Sequence, residues 1–256
     1  MDQIGARDMS TTFVKGIRVL KAFDDADTHM TLSDLSRKTG LDRATVRRLV
    51  LSLVALGYAR KDGRQYSLTP QVLALAGSFL QGNAFGREVQ PLLNRASEAL
   101  GGPVLLAIRD GDAAVIVGQA VARAQPVTIG LTVGSRLPLT HSAIGRMMLA
   151  YGAEDWAAAV LEGAELVPLT ERSLVDRGAV RRAVAACRTQ GFAVVVDELE
   201  MGVTGIAAPV GAVGAVKAVV GTSFEHGDVV GREGVVRGIL QSLAVELAEV
   251  RLFSQG

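Results

Sequence analysis

Between Thr31 and Leu68 the run TLSDLSRKTGLDRATVRRLVLSLVALGYARKDGRQYSL carries two helix signals, a glycine break and a basic hairpin signal in immediate succession. Few folds accept that order. Asp42 is a favourable N-cap, which puts Leu41 at N′ and Val46 at N4, the two positions of a hydrophobic staple, so a helix begins at Arg43. Val46, Leu49, Val50 and Leu53 recur at helical spacing as a buried stripe. Arg43, Ala44, Arg47 and Arg48 lie on or beside the opposite face. Leu51 falls near that polar face and does not fit the stripe. The preceding helix, roughly Leu32 to Thr39, starts at Thr31 with Asp34 as a weak capping partner. It ends at Gly40, a natural left-handed C′ residue. The pair reads as a helix-turn-helix. Tyr58 to Lys61 and Arg64 to Ser67 then flank Asp62-Gly63, which suits a two-residue type I′ hairpin and so a wing.

From Arg43 to Arg64 the chain has six basic residues and one acidic one, whereas its whole net charge is +1. Charge confined to one motif fits phosphate neutralisation on double-stranded DNA by a dedicated module rather than general stickiness. On this reading Arg43, Ala44, Arg47 and Arg48 approach base edges or phosphates in the major groove. Thr45 contacts a phosphate, and Arg60, Lys61 and Arg64 track the backbone or minor groove.

Thr69-Pro70 supplies an N-cap and N1 residue for a further helix running to about Leu80, with Val72, Leu73, Ala76, Phe79 and Leu80 as its apolar stripe and Gly82-Asn83 as its stop. Beyond it, a helix with Val89, Leu92, Leu93 and Leu100 leads to Gly101-Gly102. Val104 to Ile108 and Ala113 to Val117 read as a hairpin, followed by a strand near Val127 to Val133 and a helix from about Ser142 to Tyr151. Of two more helical stretches, the second runs from about Asp176 to Gln190. Phe192 to Val196, Val203 to Val210 and Ala215 to Thr222 read as three strands, with GAVGAV around Gly211 and Gly214 as a turn. A last helix carries Leu240, Leu243, Leu247 and Val250. The fold class is therefore α+β: a winged helix-turn-helix over 10–69, a linker helix over 70–83 and a mainly antiparallel sheet with surrounding helices over 84–256.

Evidence for catalysis is thin. His29, His141 and His226 are dispersed without metal-ligand spacing, and no nucleophile elbow, Walker loop or dinucleotide fingerprint is present. Glu198 and Glu200, beside Asp197, precede Gly202 and read as a solvated loop. No catalytic residue, metal or cofactor is expected. The single cysteine, Cys187, lies in a helical pattern as a small apolar residue or a reactive thiol. No stretch has membrane-spanning length and residues 1–12 lack a signal-peptide core, so a cytoplasmic protein without membrane contact is expected.

The stretch from Phe13 to Leu80, with VKGIRVLKAFDD, MTLSDLSRKTGLDRATVRRLVLSLVALGY, the DGRQYSLTP wing exit and VLALAGSFL, resembles the IclR family of bacterial transcription regulators. GSRLPLTHSAIGRMMLA and GFAVVVDELEMGVTGIAAPV extend that resemblance over nearly the whole chain. The N-terminal form is most similar to the branch responding to protocatechuate, 4-hydroxybenzoate and related aromatic-pathway acids. The resemblance implies a GAF-like effector domain, a homodimer or dimer of dimers, and regulation of operator binding by a small organic acid. It favours a dimer contact for the apolar side of the linker helix, the alternative being that this side packs on the winged domain. It also implies a cavity lined by Ile129, Leu137, Ala143 and Ile144 on one side and Val195, Gly205, Thr222 and Ser223 on the other. Thr140, His141 and Ser142 are further candidates, and Arg136, Arg109 and Arg123 are weaker candidates for a cationic partner. Family members sensing small keto acids carry an aspartate and a cysteine where this chain has Val195 and Gly205. An apolar branch and a bare backbone there imply a roomier, greasier cavity and an aromatic or larger acid. The arginine usual before the Ile-Ala-x-Pro-Val strand is replaced by Thr204. The alternatives are the same fold sensing another acid or none, and an enzyme using the C-terminal cavity.

Overall fold

The computed structural model describes residues 8–23, 27–82, 85–122, 130–229 and 231–254. It divides into two compact units, Met1–Gly82 and Asn83–Gly256.

The first unit opens with α1 (Thr11–Leu20), whose Ser10 cap accepts a hydrogen bond from Phe13 N at 3.3 Å. β1 (Met30–Thr31) leads directly into α2 (Leu32–Thr39) and then α3 (Arg43–Ala55). The capping box on α2 is complete, and so stronger than expected. Asp34 N donates to Thr31 Oγ1 at 3.3 Å, and Thr31 N donates to Asp34 Oδ2 at 3.1 Å. The Thr31 hydroxyl, which donates to Asp34 Oδ2 at 2.7 Å, the Thr31 N–H bond and the nearby Arg37 hold the Asp34 carboxyl below the usual carboxylate range. Gly40 adopts φ 68°, the left-handed turn that sends the chain into α3. Val46 and Val50 are fully buried, together with Val19, Met30, Leu35 and Tyr66, and Leu51 packs against the edge of that core.

The wing is β2 (Ala59–Asp62) and β3 (Gln65–Leu68). Its turn differs from the expectation. Asp62 pairs with Gln65, so the two-residue loop is Gly63-Arg64 and only Gly63 has positive φ, at 55°. Glycine first and an ordinary residue second is the type II′ arrangement, which also matches strand twist, whereas Asp62-Gly63 in type I′ would have required positive φ at Asp62. β1, too short to read from the sequence, adds a third strand by pairing Met30 with Tyr66. α4 (Gln71–Gly82) follows, with Thr69 Oγ1 accepting from Gln71 N at 3.3 Å.

The second unit starts with α5 (Phe85–Glu88) and α6 (Gln90–Leu100), followed by β4 (Val104–Asp110), β5 (Ala113–Ala120) and β6 (Arg136–Pro138). Then come α7 (Ala143–Tyr151), α8 (Glu154–Gly163), α9 (Arg177–Gln190), β7 (Ala193–Val196), β8 (Val203–Val210), β9 (Ala218–Glu225), α10 (His226–Val229), α11 (Glu233–Glu249) and α12 (Arg251–Ser254). The six strands form one sheet ordered β6-β5-β4-β9-β8-β7, antiparallel throughout. No strand forms at 130–133, and the first part of that expected strand lies outside the described residues. Gly134 at φ 97° and the Ser135 N to Thr132 O bond of 3.0 Å instead make a turn, and the extended segment begins at Arg136. β9 sits three residues later than expected, because Val210 pairs with Ala218 and leaves Gly211 to Lys217 as the connection.

α6 and α11 cover one face of the sheet and α7 the other, with α9 packed outside α7 and α8 adding Ala157 and Leu161 to the same core. Burial on both faces explains why β9 reads as a nearly unbroken apolar run without alternation. α7 is buried on every residue from Ala143 to Ala150, and close approach makes this possible. A Cβ on Gly145 would stand 2.4 Å from Pro138 O, and one on Gly221 of β9 would stand 2.7 Å from Ile144 Cγ1. The core is thus layered helix, sheet, helix, helix, with the start of α7 against the middle of the sheet.

Candidate functional site

α3 presents Arg43, Ala44, Arg47 and Arg48 as exposed side chains and Thr45 as half-buried. Its N-terminus is fixed by Asp42, which accepts from Thr45 N at 2.9 Å. The Thr45 hydroxyl first, and then that N–H bond, hold the Asp42 carboxyl below its usual range, leaving it ionised beside the positive end of the helix dipole. In the wing Arg60, Lys61 and Arg64 are exposed, and Arg60 Nε donates to Ser67 Oγ at 3.0 Å, which steadies its stem along the hairpin. Every side chain nominated for DNA contact therefore lies on the surface of one folded unit.

In the second unit a cavity opens between the sheet and the start of α7, with about 420 Å³ of free space when the solvent at its mouth is included. Nine of the residues nominated for the effector line it: Leu137, His141, Ser142, Ala143, Ile144, Val195, Gly205, Thr222 and Ser223. Ile129 lies outside the described residues. Thr140 is a correction. It lines a separate groove with Pro138, Trp156 and Val160, because the chain turns into α7 there and successive side chains point to opposite sides. Leu105, Leu131, Leu199 and Val203 complete the cavity wall. Leu105 of β4 and Leu199 of the loop after β7 come from segments with no nominated residue, so only tertiary packing brings them there, whereas Val203 lies two residues from Gly205 on the same face of β8.

The polar groups in the wall are unequal. Ser142 Oγ donates to Pro138 O at 2.7 Å and accepts from Gly145 N at 2.9 Å, so it is consumed as the α7 cap. Thr222 Oγ1 donates to Pro103 O. His141 is different: it is 3 % exposed and neither ring nitrogen has a hydrogen-bond partner. Burial pushes its pKa below the ordinary value; Glu198 opposes the shift and Arg146 adds to it. The Val167 carbonyl pulls weakly upward from beyond hydrogen-bonding geometry. The ring is therefore neutral near pH 7, a buried donor-acceptor pair without partners. The N–H groups of Ala143 and Ile144, in the first turn of α7, have no acceptor among the described residues.

Glu198 overturns its reading as part of a solvated loop. It is 8 % exposed, pairs with Arg146 of α7 and accepts from Leu174 N at 3.1 Å. Arg146 Nε donates to Thr140 O at 2.9 Å. The pairing spans 52 residues of sequence, so no local pattern announces it. Glu200 is exposed. Gly205 also corrects the expectation of added room. A Cβ there would lie 3.3 Å from Ala143 Cβ, so the bare backbone lets α7 sit close to β8. Thr204 is buried against His226, with 3.1 Å between its Oγ1 and Nδ1. Arg136 is committed to Asp110 and Asp112 at the surface, and Arg109 stacks 4.5 Å over Trp156. Arg123 lies outside the described residues. Cys187 is buried, and burial pushes its thiol pKa up.

A basic winged helix-turn-helix joined to an α+β unit with an internal cavity is the build of a DNA-binding transcription regulator. The sequence profile of the bacterial transcriptional regulator IclR C-terminal domain matches residues 79–248, and that of the IclR helix-turn-helix domain matches residues 12–63. The chain belongs to the IclR family. It is 34% identical over 206 residues to the Pca regulon regulatory protein of Pseudomonas putida, covering 80% of this chain and 71% of that protein. A crystal structure of a transcriptional regulator from Rhodococcus sp. RHA1 superposes with a TM-score of 0.76 at 32% identity, over 96% of this chain and all of the other. An IclR homologue from Microbacterium hydrocarbonoxydans, complexed with 4-hydroxybenzoate, shares the fold with a TM-score of 0.76 at 22% identity, over 95% of this chain and 99% of that one.

Proposed function

We propose that this chain is a cytoplasmic regulator that binds operator DNA as a homodimer or dimer of dimers, with its operator affinity set by a small aromatic acid in the cavity of the second unit. Residues 10–69 read DNA, 70–83 link, and 84–256 sense. Arg43, Ala44, Arg47 and Arg48 enter the major groove, Thr45 meets a phosphate, and Arg60, Lys61 and Arg64 follow the backbone. The exposed apolar side chains Phe13, Val14 and Ile17 of α1 and Leu73 and Leu75 of α4 support self-association of the first unit.

One observation carries the ligand reading: His141, buried with both ring nitrogens unpartnered, beside the open N–H groups of Ala143 and Ile144 in an otherwise mostly apolar cavity. Helix-start N–H groups and an imidazole suit a carboxylate, and the surrounding leucine, isoleucine and valine side chains suit a ring. The resemblance to the aromatic-acid branch and the Pca relative point the same way. An acid that fits one arrangement of the second unit better than another biases operator affinity by its differential binding energy, and operator must change acid affinity by the same factor.

A thermal-shift panel of 4-hydroxybenzoate, protocatechuate, glyoxylate and pyruvate tests this reading. An aromatic acid at a hundred times its Kd stabilises the folded chain by about 2.7 kcal/mol, and is recovered unchanged after incubation. Stabilisation by the keto acids alone, or turnover of the aromatic acid, overturns the proposal.

A further inference from the structure

We propose that the cavity takes up its acid together with one proton, and that the His141 imidazole holds that proton. This rests on the reading that an organic acid occupies the cavity. The reason is charge balance. Among the described residues no lysine or arginine lines the wall, and His141 is the one titratable group in it. A carboxylate brought into a mostly apolar space needs a counter-charge, and two N–H groups at a helix start offer only a partial one.

The nearest guanidinium, Arg146, is already committed. Its Nε serves the Thr140 carbonyl and its NH2 the Glu198 carboxylate, so the two full charges cancel within their own pair. The other groups facing this region are few. Glu198 approaches from the loop after β7, the buried Cys187 thiol lies near Arg146 from α9 and stays protonated, and the segment after α8 brings the Val167 carbonyl. In the empty cavity burial and Arg146 outweigh Glu198, so His141 is neutral. A carboxylate against the ring reverses that balance. Below the pKa of the empty site His141 is already charged, and affinity does not vary with pH. Between the empty and occupied values the association constant falls as pH rises, approaching about tenfold per pH unit. Above the occupied value it levels off.

Titration calorimetry of the full chain with 4-hydroxybenzoate at neutral pH, repeated in phosphate and in Tris, reads the proton directly. The expected result is a buffer-dependent binding heat that corresponds to uptake approaching one proton per site. His141→Gln keeps polar atoms in place but cannot titrate, so uptake disappears and the affinity becomes weaker and flat with pH. His226→Gln, outside the cavity wall, retains the uptake. Wild-type binding with a buffer-independent heat, or full uptake persisting in His141→Gln, overturns the proposal. Failure of all four acids of the panel to bind instead removes the reading of the cavity, and this proposal with it. Should His141→Gln fail to fold, nitrogen-15 shifts of the wild-type histidines decide the question: an imidazolium signature appearing with ligand supports the inference, and an unchanged neutral ring overturns it.

Discussion

Arg146 of α7 and Glu198 of the loop after β7 form an ion pair in the interior, their side chains 4% and 10% exposed. The pair is not isolated, since Glu198 also receives Leu174 N and Arg146 also serves the Thr140 carbonyl. Three segments therefore meet at one charge pair beside the start of α7. A buried pair of this kind adds little over a well-packed apolar substitute, whereas removing one partner strands a charge. Arg146→Met and Glu198→Leu singly are expected to destabilise the second unit by about 3–5 kcal/mol, and the double variant by markedly less than their sum. Thermal unfolding of the four proteins checks this. Additive losses would show that the two side chains do not act as a pair.

The exposed α3 face makes a separable prediction. Arg47→Ala should weaken binding to the specific operator by about 1–3 kcal/mol if the guanidinium reads a guanine, with less effect on unrelated DNA. Arg60→Ala with Arg64→Ala should weaken every sequence alike and flatten the salt dependence, because wing contacts release counterions without reading bases. Gel shifts over a salt series distinguish the two. Unchanged affinity and slope in both variants would leave the motif without its assigned role.

Features settled by neighbouring residues were legible in the sequence. Asp42 and Gly40 fixed the two helices of the first unit, and Gly191 closes α9 with φ 75° at the expected place. His141 to Ile144, consecutive in sequence, could be nominated for the cavity together because the start of one helix carries them. Long-range features were less legible. Met30–Thr31 becomes a strand only by meeting Tyr66, and Glu198 looks solvated until Arg146, 52 residues earlier, is packed against it. In the sequence Gly205 reads as added room, and only the approach of Ala143 reveals what a glycine accomplishes there.

The cap on α3 yields a pH prediction whose sign follows from the lowered Asp42 carboxyl. A carboxylate whose folded pKa lies below its unfolded value contributes stability that is fully present above the unfolded pKa. That contribution is lost as pH falls through the folded one. Asp42→Ala should therefore lower the unfolding temperature of the first unit at neutral pH, and the gap to wild type should close in acid as Asp42 itself protonates. Asp42→Asn, a good cap without a charge, should retain much of the loss-free behaviour at neutral pH and show a weaker acid dependence. Circular dichroism melts across that range check both. A gap that widens in acid would contradict the assignment.

The approach of α7 to the sheet sets up a graded pair of glycine substitutions. A Cβ on Gly145 meets Pro138 O at 2.4 Å and Leu139 Cα at 2.5 Å, both backbone, and neither can swing away. Gly145→Ala must move the helix start itself, an overpacking cost of about 1–3 kcal/mol, and with it the His141 ring and the open N–H groups that follow. On Gly205 the nearest atom is Ala143 Cβ at 3.3 Å, tight but relievable by a shift of a few tenths of an ångström. Gly205→Ala should therefore cost less stability than Gly145→Ala while still narrowing the cavity, so that acid binding weakens more than folding does. Melting temperatures together with acid titrations separate these effects. Equal losses of stability in the two variants, or an unchanged acid affinity in Gly205→Ala, would mean that α7 yields freely and does not define the cavity wall.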